Sequence, residues 1–172
     1  MLADLTALPP AAAPTWLRSV GIPSGWRVGR YVGDNPAEPW SAAVSGERAD
    51  GTWDACETII GFGFTGMPEA DEVGQVCERS LRELDAENIV LVEISTPPTP
   101  GLAIVSGSGQ FDVDGRSIHG QFNYYAAGST EPGEGRLIQQ CLYVNTVRRA
   151  EFEAGLALLG NGLHTAFVNA CA

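Results

Sequence analysis

The chain has 172 residues, of which 44% are hydrophobic and 18% are charged, so it can bury the core of one ordinary domain and is not a disordered chain. Its 21 acidic residues outnumber its 10 basic residues and give a formal net charge of -11. Nucleic acids and anionic membrane surfaces both attract clustered cations. We therefore expect no nucleic-acid partner.

The first residues differ in composition from the rest of the chain. Residues 1–19 are rich in Ala and Pro and predict an N-terminal arm, followed by a single domain over 20–172. Asp4 and the prolines replace the basic and apolar regions of a signal peptide, and no apolar run reaches the length of a membrane span. These features predict a cytoplasmic protein without a membrane span.

Short strands are predicted in the first third of the domain. They cover 26–32, 40–45 and 58–65, and turn residues separate them at 34–36 and 50–51. A helix is predicted next, after Pro68, because apolar residues recur there at helical spacing. These residues are Val73, Val76, Cys77, Leu81 and Leu84.

Most of the second half of the chain is predicted to form strands. An apolar run over 89–94 predicts one strand. Longer strands over 102–113 and 116–126 are joined at Asp114-Gly115, a dipeptide typical of tight hairpins. A glycine-rich acidic loop follows the second of them.

One more strand over 135–147 and a helix over 151–168 complete the chain. Asn161-Gly162 lies inside this helix and weakens its propensity. Grouped strands with separate helices predict an α+β protein, with an antiparallel sheet of about six strands and flanking helices.

Three stretches resemble a known family. They are DGTWDACETIIGFGFTGMPEADEV at 50–73, GLAIVSGSG at 101–109 and GRLIQQCLYV at 135–144. With the Asp-Gly hairpin, they resemble the actinobacterial LpqN-type lipoproteins. The resemblance implies a PsbP-like fold and a non-catalytic binding or accessory protein, engaging a protein or a lipid-like partner at the cell envelope. The chain lacks the family's lipobox cysteine, so no lipid anchor is predicted.

Sites for metals and cofactors are not predicted. His119 and His164 stand in no paired ligand motif. The glycine-rich stretches 61–66 and 101–109 lack the Gly-Lys-Ser/Thr of a phosphate-binding loop. No catalytic residue and no cofactor are expected from these patterns.

The four cysteines form no CxxC pair, and we expect reduced, buried thiols. They are Cys56, Cys77, Cys141 and Cys171. Cys56 lies between Asp54 and Glu57, and neighbouring carboxylates suppress the reactive thiolate. The sequence therefore does not favour a cysteine nucleophile.

Alternation along two strands predicts a contact surface. His119, Gln121, Asn123 and Tyr125 share one face of their strand. If the apolar faces align, Gln139 and Tyr143 of the next strand join them. Uncharged amides and phenols of this kind are typical of recognition surfaces, so we predict that these residues bind a partner.

Trp40 and Trp53 border a turn-rich loop and predict an aromatic anchor there.

Two alternatives to partner binding remain open. One is a small-molecule carrier or small enzyme with a pocket between sheet and helix, close to Cys56 or His164. The other is a structural subunit. The expected state is a monomer or a weak homo-oligomer.

Overall fold

A computed structural model describes residues 2, 5–32, 37–94 and 99–172. The turn predicted at 34–36 lies outside them. The described residues form one antiparallel sheet with a helix on each face. Its strands are β1 Thr6–Ala7, β2 Arg27–Val28, β3 Ser41–Glu47, β4 Trp53–Phe64, β5 Glu87–Glu93, β6 Leu102–Val113, β7 Arg116–Ala127 and β8 Gly135–Asn145.

The strand order is β2-β3-β4-β8-β7-β6-β5, and β1 pairs with β4. The predicted α+β class and antiparallel sheet are confirmed, but the count of about six strands is too low. β1 and β2 each contain two residues, too few to show alternation in a sequence. The strand predicted over 26–32 forms ladder pairs only at Arg27–Val28.

Helix α1, Ala70–Arg82, covers β5 and β6 on one face of the sheet. The side chains of Glu69 and Glu72 close a capping box at its start, which satisfies two backbone N–H groups. Its buried stripe consists of Val73, Cys77 and Leu81. The apolar spacing in the sequence predicted this helix correctly, because the stripe faces the core.

Helix α2, Arg149–Ala170, crosses the opposite face and buries Leu159, Leu163 and Phe167. It continues through Asn161-Gly162 without a break. Its start is anchored by Arg148, whose guanidinium group forms ion pairs with the buried Asp54 and with Glu151. This contact explains why α2 begins two residues before the predicted start at 151.

Each helix covers its own core cluster. Phe64, Phe122 and Tyr124 belong to the cluster beneath α1, whereas Ile59 and Tyr125 belong to the one beneath α2. The central strands are therefore buried on both faces. Neither helix of the described residues combines the length and apolar character needed to cross a membrane.

The N-terminal residues contact the body of the fold. Leu17 is buried in the cluster beneath α2, and the Trp16 ring meets the Phe167 ring edge-on at 6.4 Å between centroids. Short 3-10 helices at 10–12 and 15–19 carry the chain along this surface. These contacts hold the first turns against α2 and the sheet.

Candidate functional site

A cleft of about 460 Å³ lies between α2 and the strands β7 and β8. Its floor comes from the two strands and one wall from α2. The lining residues are Ile94, His119, Gln121, Asn123, Tyr125, Leu142, Val144, Arg149, Glu153, Leu156, Ala157, Gly160, Asn161 and His164. Its volume falls within the range of small-ligand sites.

Packing at the far side of α2 leaves this cleft open. The Phe152 ring meets the Trp26 ring edge-on at 6.5 Å. Gly155 allows Trp26 to approach, since a Cβ atom there would lie 2.4 Å from the Trp26 indole nitrogen. The start of α2 thus packs against Trp26, which precedes β2, and the helix contacts β8 and β7 on the side of the cleft.

Four of the six predicted contact residues lie together in this cleft. His119, Gln121, Asn123 and Tyr125 are alternate residues of β7 and therefore share one face of the strand. All four line the cleft. Asn123 and Tyr125 are buried, whereas Gln121 is exposed.

Gln139 and Tyr143 lie on the opposite face of the sheet. The register of β7 and β8 pairs Tyr124 with Gln139 and Gly120 with Tyr143, and paired residues share a face. Gln139 donates a hydrogen bond of 2.7 Å to the Tyr124 hydroxyl group. The prediction that all six residues share one surface is therefore wrong. It assumed that the apolar faces of the two strands align, but both faces of these strands carry apolar residues.

A row of hydrogen bonds connects the cleft to the core. Gln121 Nε2 donates to Asn123 Oδ1 at 3.2 Å, and Asn123 Nδ2 donates to Gln140 Oε1 at 2.8 Å. Gln140 Nε2 then donates to Glu57 Oε1 at 2.6 Å and to the Leu159 carbonyl group at 3.1 Å. We name Gln121, Asn123, Gln140 and Glu57 the amide row.

Sequence reasoning missed Gln140 and Glu57, although each is a polar residue within an apolar strand segment. Burial raises the pKa of Glu57, and the hydrogen bond from Gln140 opposes this only in part. Burial and then the nearby Glu57 also raise the pKa of Tyr125. The amide row and Tyr125 thus favour an uncharged floor.

The charged groups of the cleft lie at its rim. Arg149 and Glu153 are four residues apart on α2 and share one flank of the helix. Burial, and then the nearby Arg149, lowers the pKa of His119. The His164 ring lies 6.1 Å from the Tyr125 ring. The site therefore combines an uncharged polar floor with an ionic edge.

Cys56 lies outside this cleft. It pairs with Tyr143 across β4 and β8 and so belongs to the α1 side of the sheet. Burial, followed by the nearby Glu57, raises the pKa of its thiol to about 12. Of the two residues expected near a pocket between sheet and helix, only His164 lines the cleft.

The two predicted anchor tryptophans have different surroundings. The Trp40 indole donates to the carbonyl groups of Leu8 and Pro9, each at 3.1 Å, and so holds the N-terminal arm. Trp53 is 38% exposed. With Tyr143, it lines a second cavity of about 380 Å³ on the α1 side.

A metal centre would need converging ligands. Across residues 2, 5–32, 37–94 and 99–172, no three His, Cys, Asp or Glu side chains converge in this way.

Comparisons with known proteins identify a similar fold. No protein-family model matches the chain, and no curated protein matches it. The chain is similar to the solved structure of LpqN, involved in cell envelope biogenesis of Mycobacterium tuberculosis, with 15% sequence identity and a TM-score of 0.60. The match covers 81% of this chain and 78% of that one. This likeness shows a distant LpqN-like fold.

Proposed function

We propose that this chain is a non-catalytic accessory protein of the cell envelope that binds a lipid-like ligand in the cleft between α2 and the sheet. The observation that carries the proposal is the cleft itself. It places uncharged polar side chains of β7 beside apolar side chains of β8 and α2 within one volume of about 460 Å³. A ligand with a polar and an apolar part matches such a lining.

The two parts of the ligand would meet different residues. Gln121 is exposed and lies at the outer end of the amide row, so its amide is placed to bind a hydroxyl or carbonyl group. Leu142, Val144 and Leu156 line the same cleft and would contact an alkyl part. The net charge of -11 disfavours an anionic ligand.

Binding, rather than catalysis, suits the chemistry of the floor. A general base must reach the proton that it removes. The Glu57 carboxyl group is buried, and Gln140 is hydrogen-bonded to it. The amide row is therefore better suited to orient a ligand than to transfer a proton.

The envelope part of the proposal has separate support. The structural likeness to LpqN, described as involved in cell envelope biogenesis, agrees with the resemblance of the three sequence stretches. We propose that the LpqN-like fold is of the PsbP-like type. The alternative is that a protein partner, rather than a lipid-like ligand, binds in the same cleft. Cross-linked capture distinguishes the two.

The test uses amphiphiles of equal chain length with nonionic, zwitterionic or anionic head groups, measured by native mass spectrometry and calorimetry. We expect one nonionic molecule to bind per chain. Ala157→Phe fills the cleft and should weaken binding about tenfold, equivalent to about 1.4 kcal/mol. Ala154→Phe is the matched control, because Ala154 is exposed on α2 outside the cleft lining.

Equal binding by both variants would place the ligand elsewhere and overturn the proposal. A second measurement covers the protein partner: cross-linked capture with the tagged chain from its own cells. A protein retained by the wild type and lost only with Ala157→Phe, together with no amphiphile binding, would replace the lipid-like ligand by that protein.

A further inference from the structure

The outer edge of the sheet beyond β5 has free hydrogen-bonding capacity. Within the described part of the chain, β5 pairs with β6 alone. The Ile94 N–H group donates to the Ile104 carbonyl group at 3.0 Å. Backbone direction alternates along an antiparallel strand, so Val92 faces β6, whereas Leu91 and Glu93 direct their backbone groups outward.

The centre of this edge is not protected against further pairing by any of the described residues. Proteins protect edge strands with charged side chains, Pro, β-bulges or a covering element. β5 has the sequence ENIVLVE, which contains no Pro and places its two glutamates at its ends. The exposed fractions of Val90, Leu91 and Val92 are 57%, 39% and 54%. A bulge occurs only near its start, between Glu87 and Val90.

The two sides of this edge differ in chemistry. On the α1 side, a groove of about 300 Å³ runs between α1 and β5. Its charged lining residues are Asp71, Glu78 and Glu93. Arg82 forms an ion pair of 2.5 Å with Glu78, so Asp71 and Glu93 provide the excess negative charge.

On the α2 side, the centre of the edge is apolar. Val90 and Val92 pair with Ser108 and Ser106 of β6, and Ser106 pairs with Asn123, which lines the cleft beneath α2. The two valine side chains therefore point to the α2 side and stand beside small residues. A strand added at this edge would place alternate side chains against these valines and in the acidic groove.

We propose that β5 accepts an antiparallel strand from a partner polypeptide in which Lys or Arg alternates with Val or Ile. The basic residues lie opposite Leu91 and Glu93 and enter the acidic groove. The branched residues lie opposite Val90 and Val92. Main-chain hydrogen bonds provide affinity, and the two sides of the edge provide specificity.

Charge argues against a second copy of this chain as the added strand. An antiparallel copy of β5 would bring another Glu93 to the α1 side of the edge, where Asp71 and Glu93 already lie. Each copy also has a net charge of -11. Like charges across strands are destabilising, whereas the alternating basic strand relieves the same repulsion.

The test uses a labelled peptide of about nine residues, a common strand length, in which lysine alternates with valine. Binding to the full chain is followed by fluorescence anisotropy. In the antiparallel arrangement, residues opposite Leu91 and Glu93 direct their N–H groups to β5. N-methylation of the lysines should therefore abolish binding, whereas N-methylation of the valines should leave it nearly unchanged.

Charge variants test the acidic groove. Asp71→Asn and Glu93→Gln should each weaken peptide binding by about two- to fivefold at low salt. Glu87→Gln is the matched control, because Glu87 pairs with Gln110 and lies on the α2 side of β5. The Glu87→Gln variant should bind the peptide as tightly as the wild type does. Added salt should reduce the differences in peptide affinity between the wild type and the Asp71→Asn and Glu93→Gln variants.

Three results would overturn the proposal. A scrambled peptide of the same composition that binds equally well would show non-specific attraction to an acidic chain. Loss of binding on valine methylation instead of lysine methylation would exclude the antiparallel arrangement. A dimer in light scattering that Leu91→Pro abolishes would assign the edge to a second copy, since this change removes an outward N–H group and no bond to β6.

Discussion

Gln140 on β8 donates a hydrogen bond of 2.6 Å to the carboxyl group of Glu57 on β4. Both side chains are buried beneath α2. The same Gln140 nitrogen also donates to the Leu159 carbonyl group, so one amide links two strands to the helix. Buried polar groups are stable only when they are hydrogen-bonded, and this contact therefore couples the position of α2 to the sheet.

Replacing Gln140 tests that coupling. Gln140→Leu has a similar volume but leaves Glu57 Oε1 and Asn123 Nδ2 without their partners. We expect the free energy of unfolding to fall by about 1–3 kcal/mol, measured by urea denaturation. Gln121→Leu is the control, because Gln121 is exposed, and it should cost about 0.5 kcal/mol or less. Equal stability of Gln140→Leu and the wild type would contradict the coupling.

The raised pKa of Glu57 predicts a pH dependence. Below the ordinary value of 4.5, the carboxyl group is protonated in both the folded and the unfolded chain. As the pH rises above 4.5, the unfolded chain loses the proton while the folded chain retains it, so wild-type stability falls. Glu57→Gln removes this proton linkage and keeps an acceptor for Gln140.

The difference in unfolding free energy between Glu57→Gln and the wild type should therefore move in favour of the variant from about pH 4 to about pH 7. Urea denaturation at both pH values measures it. Gln121→Leu removes no ionisable group and is the control, so its difference from the wild type should be the same at both pH values. A difference that moves towards the wild type would mean that folding lowers the Glu57 pKa.

Local turn chemistry made part of the fold predictable. Asp114 and Gly115 both adopt left-handed conformations, with φ values of 50° and 74°, as a two-residue hairpin requires. The predicted strands on either side agree with β6 and β7 within one residue. The sequence predicts a strand only from 58, whereas β4 begins at Trp53. The polar residues Asp54 and Glu57 are accommodated in this strand by Arg148 and Gln140, which are distant in sequence.

The candidate site was predictable only in part, for a related reason. Alternation along β7 correctly grouped His119 with Gln121, Asn123 and Tyr125. It did not indicate which face of β8 lies beside them. In this sheet, α1 and α2 cover opposite faces, so polar and apolar residues occur on both. The register that places Gln140 next to Asn123 is set by pairing across the sheet.

Burial predicts the reactivity of the cysteines. All four are free thiols, and burial raises the pKa of Cys56, Cys77 and Cys141 to about 12. Cys171 is only partly buried. Iodoacetamide should label Cys171 first in the native protein, and the other three only on unfolding. Mass spectrometry measures the order. Cys171→Ser should abolish the first phase, and rapid labelling of Cys56 would contradict the structure.

Two glycines should respond to the same substitution with opposite signs. A Cβ atom at Gly61 would lie 1.8 Å from the Trp40 ring, whereas one at Gly74 in α1 meets nothing within 4 Å. Gly61→Ala must displace Trp40 and should destabilise the fold by about 3 kcal/mol. Gly74→Ala should stabilise α1 by about 0.5–1 kcal/mol, because alanine is the better helix former.

Thermal unfolding measures both changes, and limited proteolysis reports on the N-terminal arm. Trp40 holds this arm through its bonds to Leu8 and Pro9, so Gly61→Ala should make residues 5–20 easier to cleave. Gly74→Ala should leave that cleavage rate unchanged. If Gly61→Ala retained wild-type stability and protection, Trp40 would not be the element that fastens the arm to the sheet.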